Sequence, residues 1–371
     1  MASKVALVKC LTYDSREVDA ALNKALSLLG GIEGIIKPNS KVLIKPNLLT
    51  DSKPEDCITT HPQVVEAVIS LVKKTNAEIY VGDSPGVIGQ RLDVDKVYEA
   101  TGMKEVCLRQ NVSLAYFDKA VLKDGIPVTD WIERCDYIIN VPKFKTHSFT
   151  TLTGAIKNMF GLVMGVHKTK LHKDYFKVHN FSRKVVDIFE TAKPVLNIID
   201  GIVAIEGEGP GSSGTRKDVG LILASQDAVA ADSVLATIMG LFPNDILTTK
   251  EAASRGLGET DINKIELAGE NLGEFIDNNF KLPALSFIYS MPEFLFKIAK
   301  IFAWHRMLVS KKLCQSCKRC IEACPVGAIS LKKGKAFIDC KKCILCACCQ
   351  EVCPYKAIIV QKSPLLKIVG V

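Results

Sequence analysis

Ten of the fourteen cysteines in this 371-residue chain lie between Cys314 and Cys353. Eight of them fall into two copies of one spacing, C-x2-C-x2-C-x3-C-P: Cys314, Cys317, Cys320 and Cys324 before Pro325, then Cys343, Cys346, Cys349 and Cys353 before Pro354. The copies run on alike, as Pro-Val-Gly-Ala-Ile and Pro-Tyr-Lys-Ala-Ile. Three thiolates two residues apart can wrap one face of an iron–sulfur cubane, and the fourth ligand then comes from elsewhere in the chain. The doubled pattern predicts two 4Fe-4S clusters and electron transfer. Cys340 and Cys348 are left over; Cys348 adjoins a ligand position, but only Cys349 keeps the two-residue gap from Cys346.

Other cysteine chemistries fit less well. A disulfide framework needs an oxidising compartment, and the opening residues MASKVALVKC lack the apolar stretch of an export signal, so a cytoplasmic location is expected. Zinc knuckles pair Cys-x2-Cys units across a longer insert. A cluster that cleaves S-adenosylmethionine would need C-x3-C-x2-C, and Gly327 stands where its third cysteine would fall. The spacing resembles that of two-cluster bacterial ferredoxins, in which the cysteine before each proline crosses to the other cluster. That resemblance assigns Cys314, Cys317, Cys320 and Cys353 to one cluster, and Cys343, Cys346, Cys349 and Cys324 to the other.

A second group of reactive residues lies between Lys143 and Lys184, where nine Lys and Arg and four of the six histidines face a single acid, Asp174. The net charge of +8 is mild for this length, few aromatics interleave and no nucleic-acid motif is present. The run therefore reads as a pocket for a small anionic substrate, with no nucleic-acid partner. Lys45, Lys143, Lys145 and Lys157 can meet a carboxylate or phosphate as point charges. His147 is the candidate for proton transfer, because an unperturbed imidazole titrates near neutrality. Asp83 and Asp200 can orient it or coordinate a metal. The expected catalytic set is His147, Lys157, Lys143 and Asp83, and the expected binding set is Lys45, Asn47, Lys145 and Asp200. His167, His172 and His179 have gaps too irregular for a zinc motif.

These residues have to be positioned by ordered elements. Val- and Ile-rich runs at Val5–Val8, Lys41–Ile44, Glu78–Val81, Tyr137–Val141, Leu196–Ile199 and Gly220–Leu223 alternate with helical patterns at Val18–Leu29, Pro62–Lys73, Ser182–Thr191 and Asp227–Met239. The alternation predicts an α/β fold with a largely parallel sheet and flanking helices. Ligands in such sheets gather beyond the carboxyl ends of the strands, which is where Lys45-Pro46-Asn47, Gly82-Asp83, Pro142-Lys143 and Asp200-Gly201 are expected. The G-x-G-x-x-G at Gly209, Gly211 and Gly214 leads into a strand-like run, so it is read as a surface loop, not as a dinucleotide fingerprint. Residues 1–275 form the expected α/β domain and 310–371 the ferredoxin domain. Between them, in 276–309, Phe294, Leu295, Ile298, Ile301, Phe302 and Leu308 form an amphipathic stripe expected to pack between the domains. No clean run of about 18 apolar residues survives there, so membrane contact is not expected.

The ordered set IKPNLL, THP, GDSPG, NVPKFKTH, TGAIKNMFG, DGIVAIEGEGP and LILASQDAVAAD resembles the domain of unknown function 362 family, whose members often carry a C-terminal two-cluster ferredoxin domain. The stretch from His147 to Lys157 is also distantly similar to the segment of nickel-pincer lactate racemases in which a His stands ten residues before the Lys that anchors the cofactor. Thr151 and Ala155 stand where that pattern has Gly. With no flavin or nicotinamide fingerprint, the electron source is expected to be an external redox protein. The function expected is that of a ferredoxin-linked oxidoreductase acting on a small anion. Two other readings are a cofactor- or metal-binding maturation module that uses the clusters as a relay, and a non-redox isomerase.

Overall fold

The computed structural model describes residues 3–86, 93–284, 286 and 304–364. Its strands are β1 (Lys4–Lys9), β2 (Lys41–Pro46), β3 (Glu78–Val81), β4 (Ser113–Leu114), β5 (Ala120–Lys123), β6 (Ile126–Thr129), β7 (Tyr137–Val141), β8 (Lys143–His147), β9 (Thr151–Thr153), β10 (Leu196–Gly207), β11 (Gly214–Ser225) and β12 (Glu266–Gly269) in the large part, with β13 (His305–Val309), β14 (Ile329–Lys332), β15 (Lys335–Ile338) and β16 (Ile358–Lys362) after it. The main sheet runs β12-β1-β11-β10-β7-β2-β3-β4, and β8 and β9 extend it beside β10. It is mostly parallel, and along that order β11 alone runs against its neighbours.

The sheet is covered on both faces, which is why its strands read as unbroken apolar runs. Alternate residues of β1 divide the core: Ala6 and Val8 join the helices Ser15–Leu28 and Pro62–Val72, while Val5 and Leu7 join Ala228–Ile238. The helix starts follow local chemistry. Asp14 accepts the N–H groups of Arg16 and Glu17, Asp227 does the same for Val229 and Ala230, and Pro62 occupies a first-turn position where no N–H is needed.

Two expectations about the rim change. Asp200 does not end a strand, because β10 continues past it to Gly207. The Gly209–Gly214 loop is the tip of the long β10–β11 hairpin, and a strand follows it as its sequence implies, but it is not a free surface loop. Gly209, Pro210 and Gly211 are buried. A Cβ at Gly209 would lie 2.4 Å from the Thr146 carbonyl oxygen, and one at Gly211 would lie 2.5 Å from that of Glu351. Ser212 donates to the Cys353 carbonyl. At positions 209 and 211 only a residue without a side chain fits between β8 and the C-terminal module.

That module pairs β13 with β16 and β14 with β15. Its cysteine loops repeat one backbone shape: Ser316 and Lys318 in the first copy, and Leu345 and Ala347 in the second, all have positive φ. The left-handed residues turn the chain sharply enough to bring cysteines two residues apart onto one side. Leu308 of the expected amphipathic stripe lies in β13, whereas Phe294, Leu295, Ile298, Ile301 and Phe302 fall outside the described residues.

Gly211→Ala would force a methyl into the Glu351 backbone, and overpacking of this kind costs about 1–3 kcal/mol. Limited proteolysis of the full chain should release the C-terminal module sooner than in the parent; an unchanged cleavage rate would show that the tip does not clamp it.

Candidate functional site

The parallel neighbours β7, β2 and β3 end on one edge, so residues at their carboxyl ends meet. Lys45 closes β2, and its Nζ lies 2.8 Å from Asp83 Oδ1 just beyond β3. Asp83 Oδ2 accepts the Leu48 N–H at 2.8 Å. Both partners are buried, and Gly161 makes room for them: a Cβ there would stand 2.1 Å from Asp83 Oδ1.

Three further lysines converge on the same place. Lys145, on β8, donates to Asn47 Oδ1 and the Ile58 carbonyl, both at 2.7 Å. A ladder of amides fixes Asn47: its Nδ2 donates to Asn158 Oδ1, Asn158 to Asn140 and Asn140 to Asn197, at 2.8, 2.8 and 2.9 Å. Lys157 rides on the short helix Ala155–Asn158, whose first N–H groups are held by Asp232 at 2.6 and 3.1 Å. Its ammonium lies 4.6 Å from the centre of the Phe160 ring, and no hydrogen-bond acceptor reaches it among the described residues. Lys168, on the helix Val166–Asp174, donates to the carbonyls of Ser84 and Pro85. Burial pushes Lys145 and Lys168 each down to about 7. Their hydrogen-bond acceptors are neutral oxygens, and the nearby carboxylates of Glu351 and Asp83 offset the burial only in part.

Two histidines face this group with opposite polarity. His147 Nδ1 accepts the N–H groups of Phe149 and Thr150 at 3.1 and 3.2 Å, which puts the ring proton on Nε2, 3.3 Å from Glu351 Oε1. His172 Nδ1 lies 2.9 Å from the Lys168 carbonyl and must donate to it, leaving Nε2 a bare lone pair. That nitrogen and Thr153 Oγ1 have no hydrogen-bond partner among the described residues. Burial, then the charge of Lys157, holds His147 well below 6.5, and burial takes His172 to about 3. The expectation that His147 titrates near neutrality is therefore corrected: it is a neutral ring that offers a fixed N–H.

Asn47, Asp83, Lys145, His147, Lys157 and Lys168, with His172 and Thr153, line a cavity of ≈ 90 Å³ whose opposite wall is Ala323, Cys348, Glu351 and Val352 of the C-terminal module. Lys143 and Asp200 do not belong to it. Lys143 Nζ lies 2.9 Å from Asp200 Oδ2 and 2.6 Å from the Tyr13 hydroxyl, and Asp200 also accepts from Tyr13 and from the His61 N–H. The pairing of β8 with β10 slips between Asp200/Lys143 and Ile205/Lys145, which sends two lysines of one strand to different places. Asp83 is held by Lys45, and the carboxylate beside His147 is Glu351. No signal in the sequence marks Glu351 or Asp232; Lys168 and His172 sit at i and i+4 on one helix, a spacing that puts both on one face.

The cysteines gather in two places. Cys314, Cys317, Cys320 and Cys353 line one cavity, and Cys324, Cys343, Cys346 and Cys349 line another, so each copy lends the cysteine before its proline to the other. The N–H groups of Ala357 and Ala328 approach Cys353 Sγ and Cys324 Sγ at 3.4 and 3.2 Å, equivalent positions of the repeat. All-thiol sets with backbone donors on sulfur suit an iron–sulfur cluster. Cys348 points to the lysine cavity instead. Among the described residues no three His, Cys, Asp or Glu side chains close on a point that would hold a single metal ion.

A family model described as Domain of unknown function (DUF362) matches residues 42–237. The chain belongs to the DUF362 family. A 4Fe-4S dicluster domain matches residues 313–357 and makes this DUF362 protein an iron–sulfur, ferredoxin-type electron-transfer protein. The thylakoid-associated protein sll1697 of Synechocystis sp. is 33% identical over 291 residues, 76% of this chain and 88% of that protein. The lactate racemase apoprotein of Thermoanaerobacterium thermosaccharolyticum shows a weak structural likeness, with TM-score 0.38 and 12% identity over 61% of this chain. The chain spans 54% of that structure's length. No helix among the described residues is long and apolar enough to cross a membrane.

The lysines make a pH prediction. The unfolded chain keeps Lys145 and Lys168 protonated to about pH 10, whereas in the folded chain both lose protons near 7. Between these limits the unfolded state binds more protons, so stability should rise with pH. Denaturant midpoints at pH 7 and 9 should differ in that direction, and the slope should flatten in Lys145→Met/Lys168→Met. A variant as steep as the parent would contradict the assignment.

Proposed function

We propose that this protein is an iron–sulfur oxidoreductase that passes electrons between an external redox protein and a small anionic substrate held between its two modules. The observation that carries the reading is the cavity itself. Three buried lysines without a dedicated counter-charge face the helix Cys348–Glu351, which bears Cys349. An anion bound there supplies the missing charge.

In this reading two 4Fe-4S clusters are held, one by Cys314, Cys317, Cys320 and Cys353 and one by Cys324, Cys343, Cys346 and Cys349. Each, when bound, supplies one-electron transfer. Lys145, Lys157 and Lys168 hold the anionic group, His147 Nε2 donates a hydrogen bond to it, and His172 Nε2 and Thr153 Oγ1 receive or orient a hydroxyl or amine of the substrate. Lys45 and Asp83 brace the floor. So many thiols suit the reducing cytoplasm as the working compartment.

The protein reconstituted anaerobically and reduced with dithionite should be reoxidised by one or more members of a panel of small carboxylates and phosphorylated metabolites. Lys157→Met should slow that reoxidation about a hundredfold, the loss of roughly 3 kcal/mol of transition-state stabilisation, with the visible spectrum unchanged. Acceptors that oxidise variant and parent equally would count against the site. Ligation is read separately: Cys349→Ser should lose iron and sulfide from one cluster, whereas Cys348→Ser should keep both. The reverse result would overturn the register.

A further inference from the structure

We infer that the C-terminal module receives an acidic electron-carrier protein on the lysine-ringed surface around Cys317. The inference rests on the reading that an external carrier supplies the electrons, and it adds which surface is used and what the carrier's chemistry must be.

Charge is divided unevenly along the chain. Residues 304–364 contain twelve Lys and Arg against Glu322, Asp339 and Glu351, while the whole chain carries only +8, so the rest is close to neutral. Of those three acids, Glu351 faces the internal cavity and Asp339 is half-buried, leaving Glu322 as the exposed one. Two thiolate-held clusters would subtract about two charges each and still leave the module basic.

The fold collects this charge at one end. Cys317 is the exposed member of the eight paired cysteines. Ser316 Oγ donates to the Gly334 carbonyl, which sets the β14–β15 turn with Lys333 against the Cys317 loop. The Ser310 N–H bonds the Ala357 carbonyl at 2.8 Å, which sets Lys311 and Lys312 beside Lys356. Lys318 follows Cys317 directly. All five lysines are exposed, and none makes a salt bridge among the described residues. Leu313 and Tyr355, 47% and 44% exposed, add an apolar pad inside the ring.

A small apolar centre with a rim of one charge is how transient protein docking sites are built, the charge speeding encounter and fixing orientation. The ring surrounds the point where the thiolates come closest to solvent, so its occupant is one that delivers electrons there. A lipid surface carries the same negative charge but no electron. Transfer would oxidise the reduced carrier by one electron and deliver that electron to the cluster that Cys314, Cys317, Cys320 and Cys353 would hold, with no bond made or broken.

The test uses the full reconstituted chain, an acidic plant-type ferredoxin as reduced carrier and no substrate, so its result is independent of whether the substrate site is correctly read. Stopped-flow reduction should slow steeply with added salt. Lys311→Glu/Lys312→Glu should slow it about tenfold at low salt, while Lys341→Glu/Lys342→Glu, the same charge change near Cys343, should have less than a twofold effect. Iron and sulfide content checks that both variants keep their clusters. Carbodiimide coupling of carrier carboxylates should map by mass spectrometry to Lys311, Lys312, Lys318, Lys333 or Lys356. Equal slowing by both pairs, rates indifferent to salt, or cross-links confined to other lysines would overturn the assignment. So would charge reversals that abolish binding to vesicles rich in anionic phosphatidylglycerol yet leave electron transfer unchanged, since the occupant would then be a membrane.

Discussion

Lys145, Lys157 and Lys168 are withdrawn from water around one cavity whose nearby carboxylates are Asp83, already committed to Lys45, and Glu351. Removing an ammonium from water costs several kcal/mol, and only a well-placed counter-charge repays it. The surrounding structure can be understood as what keeps this arrangement from collapsing. The amide ladder from Asn197 to Asn47 ties Lys145 to the centre of the sheet, Asp232 pins the helix beneath Lys157, and Gly161 lets the Lys45–Asp83 pair sit close behind. None of these groups is free to swing a carboxylate toward the uncompensated lysines. A rigid sheet holds the deficit open.

The C-terminal module is consequently part of the site and not an appendage to it. Glu351 adds a second carboxyl to the cavity beside Asp83, which Lys45 already holds, and it arrives on the helix that bears Cys349. The β10–β11 tip makes this possible because its glycines let backbone touch backbone on both sides, Thr146 on one and Glu351 on the other. Ser148 links the same three parts, its hydroxyl lying 2.7 Å from the Gly209 carbonyl oxygen and 3.0 Å from Gln350 Oε1. A change in how the module seats would alter the cavity's charge and its distance from the cysteines together.

The ease of reading the sequence tracks the range of each interaction. The cysteine repeat is legible because its geometry lies within loops of a few residues, down to the separation of Cys348 from Cys349. The strands Lys41–Pro46 and Tyr137–Val141 are legible because burial on both faces leaves a nearly continuous apolar run. The parallel order also brings Lys45, Asn47 and Asp83 together, as strand ends in such a sheet must. Burial of the lysines is not legible, since a lysine after a strand looks the same whether solvent or another module covers it. Lys143 and Asp200 read as members of the site because a register slip leaves no mark in composition. Glu351 lies about two hundred residues from His147, and no local pattern connects them.

The two histidines show how far local backbone decides chemistry. His147 meets the N–H groups of the turn that follows it, and His172 meets the carbonyl four residues before it on its own helix. Each ring's outward nitrogen is thereby fixed, one as donor and one as acceptor, and burial among cations keeps both neutral. His147 cannot take up a proton without breaking its backbone contacts, and burial keeps the open Nε2 of His172 unprotonated at ordinary pH. The cavity groups brought close to neutrality by their surroundings are Lys145 and Lys168. A bound anion would raise both and draw protons onto them, so charging the lysines and filling the cavity are one event. In the proposed reaction, a proton that accompanies the electrons would then be carried in with the substrate by the same ammonium groups that recognise it, which leaves the histidines to orient what the lysines hold.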